Sequence, residues 1–278
     1  MDQHFVFTND GQQLLGVLHL PGKPARVGLV FLHGWPGYRV GAHRLLLKAA
    51  REAARRGFAA LRFDFRGRGD SEGATLDTTL VTMISDAVVA ARELRDRAGV
   101  EALAFVGDCS GCEVAIGAGP STPGLRAMAL WSAPFIGGER AAAESAKRRS
   151  VYGVYLRKLF SPQSWRKLLT GAIRWDLVTR ALARGGKGKG EEGAVEDRDV
   201  DWDGSFLAFG GRRLFIYGSA DPVTPPCIEF YRALSRRART ELELHLVEGA
   251  NHAFYSSPWE REVIGVTMDW LAACLAGD

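Results

Sequence analysis

The chain of 278 residues reads as an α/β protein, with a mostly parallel sheet of eight strands flanked by helices and a helical insertion after the sixth strand. Three observations carry this expectation. Short apolar runs alternate with helix-patterned stretches through most of the sequence, which is the pattern of βαβ units. Eight such runs are found. From about residue 135 to 211 no strand-like run occurs, and loops longer than about 15 residues are uncommon in a compact domain, so this stretch must carry structure of its own.

In chain order, strands are expected near residues 5–7, 14–20, 28–32, 59–63, 103–106, 127–131, 214–217 and 242–247. Between the fourth and fifth, apolar residues recur at 83, 84, 87, 88 and 91, the spacing of a helix with one buried face. The last helix opens at Ser257-Pro258, with Glu260 three positions after the serine, and buries Val263, Ile264, Met268 and Leu271. In the insertion, Tyr152, Tyr155, Leu156 and Leu159 form one helical stripe, and Trp165, Leu168, Leu169 and Ile173 form another after Ser161-Pro162. Two to four helices are expected there. Residues 185–193 are rich in glycine and lysine and read as a mobile surface loop. The expected organisation is a core of residues 1–135 and 211–278, with a helical lid over 136–210.

Composition limits the classes. Hydrophobic residues make up 46% and charged residues 24%, as in an ordinary globular protein with a large core. The N-terminus shows no secretory pattern and no run approaches the roughly 18 apolar residues of a membrane span, so a cytoplasmic protein without a membrane span is expected. Four cysteines form neither a disulfide framework nor a zinc set, and Cys227 and Cys274 fall in helix-patterned stretches as packing residues. Neither a metal nor an organic cofactor is expected. The net charge of +4 is segregated: residues 139–190 hold thirteen basic residues against Glu139, Glu144 and Asp176, whereas 191–203 hold seven acids against Arg198. A footprint for nucleic acid across the whole fold is therefore not expected, while a local basic surface is.

The chemistry starts at residues 102–112, where an apolar run ends in Gly107-Asp108-Cys109-Ser110-Gly111 and leads into a helix. Gly-x-Cys-x-Gly at this place is a nucleophile elbow with sulfur in the usual serine position. A lone elbow is weak evidence, so the other parts must lie in the right places. Residues 29–37 run a buried strand into His33-Gly34-Trp35-Pro36-Gly37, a turn whose free backbone N–H groups can face a developing oxyanion; Trp35 and Ser110 N–H are the candidate donors. Asp221 stands just beyond the seventh strand and is the candidate triad acid. His252 follows the eighth strand and is the candidate base. His33, Asp108 and the insertion aromatics Tyr152, Tyr155 and Trp165 are weaker candidates for lining a substrate site.

The order nucleophile, acid, histidine, each at the carboxyl end of a different strand, resembles the α/β-hydrolase superfamily. The turn Asp64-Phe65-Arg66-Gly67-Arg68-Gly69-Asp70-Ser71 resembles the Asp-x-Arg-Gly-x-Gly-x-Ser segment common in that superfamily, whose usual insertion point is a lid after the sixth strand. The departure is Cys109. A cysteine there resembles dienelactone hydrolases, which are smaller and lack such a lid, and some carrier-linked thioesterases. The resemblance implies attack by Cys109 on an ester or thioester, with His252 taking the thiol proton and Asp221 steadying the imidazole, and a thioester acyl-enzyme passed to water or another acceptor. Expected partners are small-molecule esters or thioesters, with coenzyme A or an acidic acyl carrier protein as the charged carriers that a basic lid would attract. Two other readings are open: a hydrolase-fold binding protein without catalysis, and a thiol oxidoreductase using Cys109-x-x-Cys112, a pair that could also form a regulatory disulfide. Oligomeric state is not legible.

Overall fold

The computed structural model describes residues 2–75, 78–137 and 200–275. Eight strands form one sheet: β1 (Asp2–Asn9), β2 (Gln12–His19), β3 (Val27–Leu32), β4 (Ala59–Phe63), β5 (Ala102–Asp108), β6 (Leu125–Trp131), β7 (Arg212–Gly218) and β8 (Glu243–Val247). The spatial order is β1-β2-β4-β3-β5-β6-β7-β8. β2 pairs antiparallel with both β1 and β4, and every other pairing is parallel. A parallel strand with helices on both faces has no wet side, and β4 is accordingly buried at all five positions and β3 at five of six.

The helices are α1 (Leu45–Arg55), α2 (Leu80–Ala98), α3 (Ser110–Ala118), α4 (Trp202–Ala208), α5 (Thr224–Arg237) and α6 (Ser257–Leu275). α1 and α6 share a face of the sheet, where Leu46, Ala49, Val263 and Met268 join Phe31, Ala104, Ala129 and Trp131 in one apolar cluster. α6 is further pinned by a buried hydrogen bond from Trp131 Nε1 to Thr267 Oγ1, 2.9 Å. α2 and α3 pack together, and α4 packs on α3 and α5. The α2 stripe read from sequence buries Met83, Ala87 and Ala91, with Ala90, Leu94 and Asp86 beside them. At the start of α6, the Ser257 hydroxyl accepts from Arg261 and Glu260 pairs with Lys48 of α1 at 2.5 Å, so these side chains tie α6 to its own next turn and to a neighbouring helix.

Contacts divide the chain into one compact unit of residues 1–135 and 200–278 and a second of 136–199. The boundary differs from the expected 210 because Trp202 and Phe206 of α4 are buried against core helices. Most of the second unit, including Tyr152, Tyr155, Trp165 and residues 185–193, lies outside the described residues. No described helix is long and apolar enough to cross a membrane.

Candidate active site

Three parallel strands, β5, β7 and β8, deliver the candidate groups to one end of the sheet, beyond their carboxyl ends. β5 ends at Asp108, and Cys109 turns the chain directly into α3 with φ 53 and ψ −123, a conformation that L residues rarely adopt. The turn exists because its flanks are glycine: a Cβ on Gly111 would fall 2.1 Å from the Leu32 carbonyl oxygen, and one on Gly107 2.7 Å from that of Gly111. The elbow is locked by Cys109 N–H donating to the Trp131 carbonyl and Cys112 N–H to the Cys109 carbonyl, both at 2.9 Å. Cys109 thus sits, partly exposed, at the start of α3, where the helix dipole favours negative charge.

Asp221 follows β7 and is 6% exposed. Its Oδ2 accepts from His252 Nδ1 at 2.6 Å, and its Oδ1 accepts from Val223 N–H at 3.2 Å. That bond fixes the imidazole tautomer and leaves Nε2 for the thiol side. A hydrogen bond with Cys109 and its charge, reinforced by Asp221, outweigh burial and hold the His252 imidazolium up to about 9. The histidine loop is also held from β6: Ser132, itself at φ 50, donates from Oγ to the His252 carbonyl at 2.8 Å. Sequence reading missed Ser132, which belongs to no motif; its position just past a strand end is the sole signal.

His33 is 1% exposed, with Nδ1 donating to the Gly34 carbonyl at 2.8 Å and Nε2 accepting from Phe65 N–H at 3.4 Å. Burial pushes its pKa down to about 4, so it is a neutral brace for the turn after β3, out of reach of a substrate. Gly34 lies against the nucleophile, since a Cβ there would be 3.4 Å from Cys109 Cβ. Trp35 N–H, one of the two candidate oxyanion donors, donates to Ser110 Oγ at 2.6 Å. The sequence suggested Ser110 for its backbone N–H; its hydroxyl engages the second donor. Asp108 is half-buried beside the nucleophile, and burial, only partly offset by the nearby His252, raises its carboxyl to about 6.

The other cysteines behave as packing residues. Cys112 is fully buried, its S–H shared between the carbonyls of Gly107 at 3.2 Å and Trp131 at 3.3 Å, and burial pushes its thiol well above the ordinary value. A redox pair needs an accessible thiolate, so this environment speaks against the oxidoreductase reading. Burial likewise pushes Cys227 up to about 12 and Cys274 up to about 11. Among the described residues, no group of three or more His, Cys, Asp or Glu side chains could hold a metal.

A model of the alpha/beta hydrolase family matches residues 29–263 of the chain. No curated protein sequence matches it. Among solved structures, it is similar to Est1E from Butyrivibrio proteoclasticus, described with ferulic acid bound, at 15% identity, covering 98% of this chain and 99% of that one with a TM-score of 0.68. It is also similar to an esterase from Pyrococcus furiosus (19% identity, 99% and 91% covered, TM-score 0.69) and to a dienelactone hydrolase from Anabaena variabilis (14% identity, 99% and 98% covered, TM-score 0.63). At such identities the likeness is one of fold.

Proposed function

The chain belongs to the alpha/beta hydrolase family, and from that premise we propose that it is an acyl-transfer enzyme that cleaves an ester or thioester through Cys109, His252 and Asp221. The observation that carries this reading is the 2.6 Å bond from His252 to the buried carboxylate of Asp221, on an imidazole whose pKa Cys109 helps to raise. Each role then follows from chemistry. His252 Nε2 takes the thiol proton first and holds it as the imidazolium; the sulfur then attacks the carbonyl carbon, a C–S bond forms and the carbonyl electrons move onto oxygen. Ser110 N–H receives that oxyanion, and Trp35 N–H joins it when the Ser110 hydroxyl swings aside. Collapse expels the alcohol or thiol, which takes the proton back from His252, and leaves a thioester on Cys109. His252 then activates the acceptor, which is water in hydrolysis and an amine, alcohol or thiol in transfer. Esterases of the same fold support an ester substrate, and the basic residues 139–190 support a coenzyme A or acyl carrier thioester as donor.

The test is intact-mass detection of an acyl adduct after mixing with 4-nitrophenyl esters and acyl thioesters of several chain lengths. Wild type should gain one acyl mass on Cys109 and release 4-nitrophenol, Cys109→Ala should do neither, and His252→Ala should acylate slower by about 10³-fold or more. Absence of both adduct and turnover across the series would sink the proposal and leave a binding role for the fold.

A further inference from the structure

The turn after β4, residues 64–71, puts nearly every polar side chain to structural use. Asp64 is fully buried and accepts from Arg39 and from Asp70 N–H; Arg66 grips Asp86 of α2; Asp70 pairs with Arg39 at 2.7 Å; and Ser71 bridges Leu15 N–H and the Asp64 carbonyl. Even the spacing of Gly69 is structural, since a Cβ there would collide with the Asp64 carboxylate at 2.1 Å. Arg68 differs. Its guanidinium lies over the Trp35 ring, 4.3 Å from the centroid, with Nε and Nη2 buried and without a hydrogen-bond partner. The acids around it are committed elsewhere, Asp64 and Asp70 to Arg39 and Asp86 to Arg66.

Two buried, unanswered N–H groups on a charged side chain are costly, and native structures satisfy more than about 90% of such groups. Nε and Nη2 form the side-on edge of the guanidinium. With that same pair Arg212 holds Glu243 at 3.0 and 2.6 Å, and Arg26 holds Glu101 at 3.2 and 3.0 Å. A carboxylate is therefore the ligand this edge is shaped to take. Its place is set by the sheet: β4, β3 and β5 are parallel neighbours, so the turns that follow them, with Arg68, Trp35 and Cys109, emerge at the same end. The 43% exposed Trp35 links Arg68 to the reacting centre, because its N–H is a candidate oxyanion donor and its neighbour Gly34 lies against Cys109.

We infer that Arg68 is a specificity-determining residue that binds a carboxylate carried by the substrate, so that the preferred ester or thioester is anionic close to its scissile carbonyl. The inference rests on the acyl-transfer reading for its substrate and on the guanidinium geometry alone for its ligand. The ratio of kcat/KM for mono-4-nitrophenyl glutarate to that for neutral 4-nitrophenyl pentanoate should exceed one in wild type. In Arg68→Gln it should fall about 10- to 100-fold, mainly through KM, as a charge-assisted bond lost from a buried site requires. Arg68→Lys, which keeps the charge but loses the fork, should fall between the two and serves in place of the glutamine variant should that one not fold. A glycolate ester of pentanoic acid, with the carboxylate on the leaving group, tells which side of the carbonyl Arg68 reads. Binding is read separately by titrating Cys109→Ala with glutarate and with neutral glutaramide. Glutarate should bind at least tenfold more tightly, and should lose this advantage when Arg68→Gln is added. A ratio near one that no Arg68 variant shifts, with equal binding of diacid and diamide, would overturn the inference, whether or not neutral esters react. Glutarate binding that depends on Arg68, with no ester turned over, would uphold it and reject the acyl-transfer reading instead.

Discussion

At the residue scale, the elbow is a steric solution whose sequence signature is short and gains its meaning from the acid and histidine that follow later strands. Gly111→Ala sets a methyl 2.1 Å from the Leu32 carbonyl oxygen, so it should lower the unfolding free energy by about 3 kcal/mol or more in urea titration. Glycine at this spacing around Cys109 can be read from sequence because nothing else fits, and Asp221 and His252 can be read because each follows a strand. Ser110 Oγ and Ser132 Oγ could not: each bond depends on one rotamer meeting a partner 75 or 120 positions away. Ser110→Ala would leave the part-buried Trp35 N–H without its acceptor, costing about 0.5–1.5 kcal/mol of stability while freeing that donor for the oxyanion. Thermal unfolding and kcat should therefore move in opposite directions, and a fall in both would mean that the hydroxyl itself serves the reaction. Asp108 gives a pH signature. Its carboxyl holds its proton to about 6 in the fold against 3.8 ordinarily, so the unfolded chain releases that proton first and stability falls as pH rises from about 4 to 6. In Asp108→Asn this loss should be absent, so urea unfolding should find the variant gaining on wild type between those values and holding the gain above pH 6.

At the element scale, the inner strands β3 to β7 were legible because a sheet buried on both faces writes continuous apolar runs, while the outer strands β1 and β8, each with one buried residue, showed only short apolar stretches. The helix stripes were legible for a similar reason, yet the stripe of α2 hides a charge. Asp86 stands on its buried face, fully enclosed, and accepts from Arg66 N–H at 3.0 Å, from Arg66 Nη2 at 2.6 Å and from Asn9 Nδ2 at 2.7 Å. Periodicity counts apolar residues and passes over an acid among them, so nothing in the pattern announced that this helix is bolted to the turn that carries Arg68. Removing Asp86 leaves the buried Arg66 only its 2.9 Å pair with the exposed Asp10. Asp86→Ala should therefore cost about 2–4 kcal/mol, whereas a paired replacement of Asp86 and Arg66 by apolar residues should cost less than the sum of the single changes, as a double-mutant cycle in urea would measure.

At the scale of the whole molecule, the charge is unevenly written along the chain. The +10 balance of residues 139–190 and the −6 of 191–203 account for the entire net +4, so the rest of the sequence is neutral as a whole. A neutral core bearing one strongly basic segment is suited to recruiting an anionic carrier, because long-range attraction raises the encounter rate of opposite charges and is screened over about 8–10 Å at physiological salt. The local carboxylate contact assigned to Arg68 is a different effect: it is buried, short-ranged and resists screening. The two separate by ionic strength. Raising salt from about 20 to 500 mM should lower kcat/KM for a coenzyme A or acyl-carrier thioester by about tenfold or more, and leave the same acyl group on a neutral short thiol within about twofold. Equal responses would mean that the acids of residues 191–203 neutralise the basic segment within the molecule, and that carrier charge plays no part in choosing the substrate.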